Sequence, residues 1–295
     1  MNTRTTLAYG QSGLGKTSQV EPISIYVAEQ TNQPTLLITA DPGGYDPLSD
    51  VLDAGLVEVF DLAVQPDPMP TLRDIFQGKH KTIKLEKFGA IAWEGLTSTA
   101  FLCLRNQTAK GRKISEDPVG EFSEGGRKFA APARSLYLLI QQFMMDALLD
   151  LRYLPSNIKH VYVTAHESKG IDLDGNSIYG PALVGKAGVP LVAPAVGDLL
   201  HFDTITLDPK KPDAVQFVAW FRSHYEGNTR IPYLAKPRTT PSGVPKLQTQ
   251  WPKGYFPLSI GDDGQFTNSV VDYWKFLEAI SSGKSEQLKQ LIKVN

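Results

Sequence analysis

Short apolar runs alternate with stretches of helical period along most of this chain. Residues 5–9, 34–40, 57–61, 88–94 and 159–166 are each brief and largely apolar. Runs of that length and character are typical of strands buried on both faces. Residues 18–30 and 136–154 fit helices, with Pro22 still inside the first turns of the earlier one. A late pair of strands is expected at 215–224 and 230–235, joined by Glu226-Gly227-Asn228. Strands alternating with helices predict an α/β fold, a mostly parallel sheet sandwiched by helices, whose ligands collect at the carboxyl ends of the strands. Residues 270–294 read as helix, with Trp274, Leu277 and Ile280 on one face and Leu288, Leu291 and Ile292 later. The expected division is a core over 1–262 and a small C-terminal helical segment over 263–295.

Two segments break the alternation. Residues 105–134 are rich in Gly, Lys, Arg and acidic residues with no clear period. Residues 168–189 carry Asp172-Leu173-Asp174-Gly175-Asn176, then Tyr179-Gly180-Pro181 and Gly185-Lys186-Ala187-Gly188. Both are expected to be long mobile loops. A turn-rich loop is expected over 41–47 and a Pro-rich linker over 65–70.

Between the first strand and first helix lies Gly10-Gln11-Ser12-Gly13-Leu14-Gly15-Lys16-Thr17, which satisfies the phosphate-loop pattern G-x-x-x-x-G-K-[ST]. Its glycines let successive backbone N–H groups point inward and cradle a phosphate. Lys16 can reach the β- and γ-oxygens of a nucleoside triphosphate, and the hydroxyl of Thr17 can complete a Mg²⁺ shell. Residues 10–17, with Ser18 at the helix start, are the expected nucleotide-binding residues, and ATP and Mg²⁺ the expected ligands.

Other strand ends supply the remaining chemistry. Glu94 closes the run Ala90-Ile91-Ala92-Trp93 and stands where a carboxylate would hold Mg²⁺ together with Thr17. Asp41, which ends the run 34–40, is placed to polarise an attacking water, with Asp46 as the fallback. His166, followed by Glu167, can hydrogen-bond a γ-phosphate. Lys236-Pro237-Arg238 puts two cations at i and i+2 on one side of an extended segment, where they can reach a neighbour's triphosphate as a finger.

Composition narrows the class without choosing a partner. The 295 residues are 41% hydrophobic and 21% charged, ordinary for a soluble globular protein. A net charge of −1 argues against a surface that grips nucleic acid all over, though local patches remain open. The single Cys103 excludes an internal disulfide and a Cys-rich zinc site, and its apolar surroundings predict a buried thiol. With no signal peptide or membrane span expected, the predicted location is cytoplasmic.

The order of these motifs resembles the RecA-type ATPase core. Ile38-Thr39-Ala40-Asp41-Pro42 through Tyr45-Asp46-Pro47 resembles the segment that holds the RecA catalytic glutamate, with Asp41 in its place. Lys236-Pro237-Arg238 is similar to the K-N-R element of RadA- and DnaB-like proteins. The start at the phosphate loop and the strand end Thr164-Ala165-His166-Glu167 resemble short phage RecA-like ATPases of the AAA_24 kind, some of them single-strand-annealing recombination proteins. Glu94 in place of the usual aspartate and Asp41 in place of glutamate depart from the pattern.

The resemblance implies an ATPase acting on single-stranded DNA in recombination, annealing or replication, in a phage-infected bacterial host. It implies a homo-oligomer, ring or filament, with the site shared between subunits. Lys16, Thr17, Asp41, Glu94 and His166 would act in cis, and Lys236 or Arg238 in trans. The segments 105–134, with Lys110, Arg112, Lys113, Arg127 and Lys128, and 168–189, with Lys169 and Lys186, would line the DNA path. Phe122, Phe129 and Tyr179 are the aromatic residues available for base stacking. A packaging or assembly motor, or a nucleotide-binding assembly protein with little hydrolysis, would use the same core.

Overall fold

Side chains alternate between two apolar layers along the central strands, which is what makes the sheet the middle of a sandwich. The computed structural model describes residues 3–41, 43–110, 121–124, 127–130, 134–172, 174–184, 188–208, 210–225, 231–239, 243–260 and 266–282. The first part contains strand β1 (Arg4–Gly10), helix α1 (Val20–Thr31), β2 (Thr35–Thr39), α2 (Ser49–Asp53), β3 (Val57–Asp61) and α3 (Pro68–Phe76). Then come β4 (Ala90–Glu94), α4 (Leu96–Ala109), β5 (Glu121–Glu124), β6 (Arg127–Ala130), α5 (Arg134–Asp150), β7 (His160–Ile171) and β8 (Ser177–Pro181). The last part holds α6 (Val189–Ala195), β9 (Asp198–Asp208), β10 (Lys211–Trp220), β11 (His224–Tyr225) and β12 (Pro232–Tyr233). It ends with α7 (Gly243–Gln250), β13 (Tyr255–Ile260), β14 (Phe266–Asn268) and α8 (Val270–Ser282).

Strands β3, β2, β4, β7, β1 and β9 lie side by side in that order, all parallel. Strands β10, β13 and β14 continue the sheet with antiparallel pairings. This is the α/β, mostly parallel architecture that the alternating pattern predicts. Leu7 and Tyr9 of β1, Ile91 and Trp93 of β4, and Val161 and Val163 of β7 face one layer, filled by α3, α4 and α5. Ala8, Ala92 and Tyr162 face the other, filled by α1 and α8. Cys103 is fully buried in the first layer, and burial pushes its thiol pKa up to about 12.

The C-terminal helix closes the second layer with the face expected of it, since Trp274, Leu277 and Ile280 are all buried. Two polar contacts fix its angle. Trp274 Nε1 donates to Thr6 Oγ1 at 2.9 Å, and the Tyr273 hydroxyl donates to the fully buried Asp198 at 3.0 Å. The later positions Leu288, Leu291 and Ile292 lie outside the described residues.

Several expectations need correction. The segment 168–189 is not a loop throughout: β7 runs on through Ser168 to Ile171 and pairs antiparallel with β8. Its polar sequence hid this, because the outer half of β7 pairs beyond the buried sheet and needs no apolar run. The turn is set by Asp172, which accepts from the backbone N–H groups of Asp174 and Asn176. The segment 105–134 begins inside α4 and includes an antiparallel pair, β5 with β6, that sets Phe122 opposite Phe129. Arg112, Lys113 and Lys186 lie outside the described residues. The 65–70 linker ends in α3, which starts at Pro68, a residue suited to a helix's first turn. The late strand pair is rearranged as well. Strand β10 pairs with β9 and β13, while β11 pairs with β12; Glu226-Gly227-Asn228 lies outside the described residues.

His160 shows how the second layer responds to acid. Its ring stacks on Trp274 at 4.6 Å, and its Nδ1 is buried without a hydrogen-bond partner. Burial, then Arg4 and Lys159, hold the imidazole down to about 4, although Glu278 lies 3.5 Å from Nε2. The unfolded chain therefore takes up a proton, between its ordinary value near 6.5 and about 4, that the folded chain refuses. Stability should be full above pH ~7 and fall steadily from ~6.5 toward ~4. Denaturant unfolding across that range should show a flatter profile in His160→Gln than in the parent chain.

Candidate functional site

The loop at the end of β1 takes its shape from its own sequence. Gly13 and Gly15 have φ of 81° and 76°, a left-handed conformation that side chains with a Cβ resist. The chain then enters a 3₁₀ turn at Thr17–Gln19 and continues into α1. The hydroxyl of the fully buried Tyr162, on the neighbouring strand β7, donates to the Lys16 carbonyl at 2.9 Å and fixes where the helix starts. Lys16 is itself buried. Its ammonium donates to the carbonyls of Gly10 (3.0 Å) and Gln11 (2.5 Å). Burial lowers its pKa, while Glu94 and then Glu167 pull it back up.

Because β1, β2, β4 and β7 are parallel, their carboxyl ends meet at one edge. Gly10 is in register with His166, and Thr39 with Glu94. A cavity of about 320 Å³ there is lined by Lys16, Thr17, Ser12, Asp41, Glu94 and His166, among others. The Thr17 hydroxyl donates to Glu94 Oε1 at 2.7 Å, and the Thr164 hydroxyl donates to Glu94 Oε2 at 2.7 Å. Thr164 Oγ1 also accepts the Gly95 N–H at 2.9 Å, so one hydroxyl locks the turn after β4 to β7. Thr97 does the same a step further on, accepting from the His166 N–H and donating to the Ala182 carbonyl. Burial raises the pKa of Glu94, opposed by the Thr164 and Thr17 hydroxyls and then by Lys16. Asp41 is near enough to add to the rise.

Most of the residues singled out from the sequence therefore come together, but Lys236, Arg238 and Asp46 do not. Lys236 pairs with Leu199, and Arg238 donates through its backbone N–H to Asp198 and through Nη1 to the Thr3 carbonyl. Both line a second cavity of about 410 Å³, with Arg152 and Thr3. Thr3 and Asp198 sit at the amino ends of their strands. The seven residues of β1 span about 23 Å, so Arg238 lies at the opposite end of the sheet from the phosphate loop. Asp46 is not in the lining of the first cavity and instead lies against Gly43. Tyr179 stacks on Tyr233 at 4.6 Å.

A third cavity was not legible in the sequence. It holds about 560 Å³, shares Gly13, Gly15 and Ser18 with the phosphate loop, and is otherwise walled by Leu207, Val215, Phe217, Leu258, Ile260 and neighbours. Leu14 lines it too, which accounts for the apolar residue inside the loop. The wall comes from β9, β10 and β13, strands far along the chain from the phosphate loop. Two of its apolar wall residues, Leu207 and Ile260, are about 60% exposed.

No protein-family model matches the chain, and no curated protein does. Solved structures do match. One is the KaiC-like protein PH0186 of the hyperthermophilic archaeon Pyrococcus horikoshii OT3. It is 12% identical, over 90% of this chain and 89% of that chain, with a TM-score of 0.43. At that identity and TM-score the likeness carries no weight, and the fold rests on the strand order and register given above. Among the described residues, no helix is long and apolar enough to cross a membrane.

A buried carboxylate with a raised pKa is held at some cost in stability. Glu94→Gln should be more stable than the parent chain at neutral pH. The difference should shrink as pH falls and Glu94 takes up its proton, vanishing below the ordinary carboxylate range. Denaturant unfolding at a series of pH values measures it, and a less stable variant at neutral pH would refute it.

Proposed function

We propose that this chain is a Mg²⁺-dependent, RecA-like P-loop ATPase that works as an oligomer on single-stranded DNA, with its site shared between neighbouring subunits. The observation that carries the nucleotide part is the 2.7 Å contact of Thr17 with Glu94. It joins the hydroxyl at the start of the helix to a carboxylate at the next strand end but one, and such a pair is what a phosphate-bound Mg²⁺ requires. Glu94 fits that ion: it is buried, its two oxygens are held by hydroxyls, and burial raises its pKa, which a nearby cation would offset. When bound, Mg²⁺ neutralises charge on the β- and γ-phosphates.

The chain's own groups do the rest. The loop's N–H groups hold the phosphates, and the Lys16 ammonium exchanges the Gly10 and Gln11 carbonyls for phosphate oxygens. Asp41 accepts a proton from the attacking water, and His166 donates a hydrogen bond to the γ-phosphate. The apolar cavity beside Gly13 and Gly15 takes the nucleobase, with Phe217 and Ile260 against its faces.

Sharing of the site is supported by the position of Lys236 and Arg238. They are too far from their own phosphate loop to serve it, yet they line a cationic cavity with Arg152, at the end of the sheet that a neighbour could cover. The DNA part rests on the motif order and on the cations of the two segments after β4 and β7. Lys169, on the outer half of β7, belongs to the described part.

Steady-state ATP turnover should rise with single-stranded DNA. Lys16→Ala should lose nucleotide binding, and Arg238→Ala should keep it while turnover falls by about 10³-fold. Mixing the two variants should restore part of the activity. Turnover indifferent to nucleic acid in a strictly monomeric protein would overturn the DNA and oligomer readings. Nucleotide binding with negligible turnover would identify an assembly protein instead.

A further inference from the structure

Two histidine rings and a carboxylate meet beside the phosphate-loop strand. His201 lies on β9, in register with Tyr9 of β1, and Asp203 follows two residues later on the same face of the strand. His224 arrives from β11. One nitrogen or carboxylate oxygen from each of the three lies within 4.8 Å of those of the other two. His201 Nδ1 and His224 Nε2 face each other at 3.2 Å. Two nitrogens bound to one tetrahedral Zn²⁺ at 2.0–2.1 Å stand about 3.3 Å apart. The rings are held there by packing: His224 stacks on Trp220 at 3.9 Å, and His201 on Tyr233 at 4.4 Å.

The outer nitrogens supply the second observation. His201 Nε2 lies 3.1 Å from the Glu167 carboxylate, and His224 Nδ1 lies 3.4 Å from the Arg222 carbonyl. A histidine that ligates a metal through one nitrogen ordinarily donates its other N–H to a carboxylate or a backbone carbonyl, which fixes tautomer and ring orientation. Both rings have such a partner. With both outer nitrogens donating, the two inner ones turn lone pairs toward each other unless a proton or a cation lies between them. Asp203, whose Oδ1 accepts the Thr204 N–H at 2.7 Å, adds a carboxylate within reach of the same point.

We infer that His201, His224 and Asp203 form a binding site for a zinc-class divalent cation. Imidazole and carboxylate donors suit Zn²⁺ and its first-row neighbours, and three protein ligands leave a fourth position for water. His201 is buried, whereas Asp203 and His224 are half-buried and give access. The ion would clip β11 to β9, and with it the β11–β12 pair at the edge of the sheet to its interior. It would also orient Glu167, next to His166 of the phosphate site. None of its three ligands is among the Thr17 and Glu94 pair proposed for Mg²⁺, so zinc can be titrated without nucleotide.

The full-length chain, stripped with a chelator, should be titrated with Zn²⁺ in competition with a chromophoric chelator. Thermal unfolding should be measured with and without the metal. About one equivalent should bind tightly and raise the midpoint of unfolding. His224→Gln and Asp203→Asn should each weaken binding at least about tenfold, and Glu167→Gln by about 10–100-fold. Circular dichroism serves as the folding check, and the half-buried positions keep the test independent of whether His201→Ala folds. Co²⁺ in place of Zn²⁺ should give the visible absorption of a tetrahedral site. No stoichiometric binding, or binding unchanged in His224→Gln, would overturn the site and leave a proton shared between the two imidazoles.

Discussion

The buried Glu94 carboxylate is the point on which the site depends. It ends β4, yet its two oxygens are taken by hydroxyls from elsewhere, Thr17 after β1 and Thr164 on β7. Three strand ends are thereby tied to one charged group. Taking a carboxylate out of water is costly, and two neutral hydroxyls offset only part of that cost, as the raised pKa records. A core built for stability alone would not keep it. The charge is retained next to the Lys16 ammonium and the hydroxyl of Thr17, where the proposed phosphate-bound cation would use it.

The two ends of the sheet are built in opposite ways. At the carboxyl end, Asp41, Glu94 and His166 surround the loop of residues 10–17. At the amino end, Arg152, Lys236 and Arg238 line one cavity, and the fully buried Asp198 is held by Arg4, Tyr273 and the Arg238 N–H. Burial, and then the neighbouring Arg152 and Arg238, depress the pKa of Lys236 against the pull of Asp198. The proposed head-to-tail sharing of a site would set this cationic end of one copy against the Glu94 end of the next.

Much of this was legible in the sequence, for reasons that can be named. The phosphate loop imposes its residues through backbone conformation, as at Gly13 and Gly15, so its pattern survives without context. Strand β4, which ends at Glu94, and the inner half of β7, up to His166, are buried on both faces and read as continuous apolar runs. What stayed hidden was exposed or assembled. The outer half of β7 is polar because it pairs beyond the core, so Ser168 to Ile171 looked like loop. Strand β9 mixes Asp198 and His201 into its apolar run, since those side chains bond Arg238, Glu167 and His224, and no strand was expected there. The apolar cavity draws Leu207, Phe217 and Ile260 from three strands, and no local pattern joins them. The pairing of Thr164 with Glu94 depends on register between β4 and β7, which a single chain does not display.

The most direct test of the account is a crystal structure of the chain with Mg²⁺ and a non-hydrolysable ATP analogue. It should show the triphosphate in the loop of residues 10–17 with Lys16 on its oxygens. Mg²⁺ should lie between the phosphates and the Thr17–Glu94 pair, and the base in the cavity beside Phe217 and Ile260. A nucleotide bound elsewhere, or a loop that leaves Lys16 on the Gly10 and Gln11 carbonyls at saturating analogue, would contradict it.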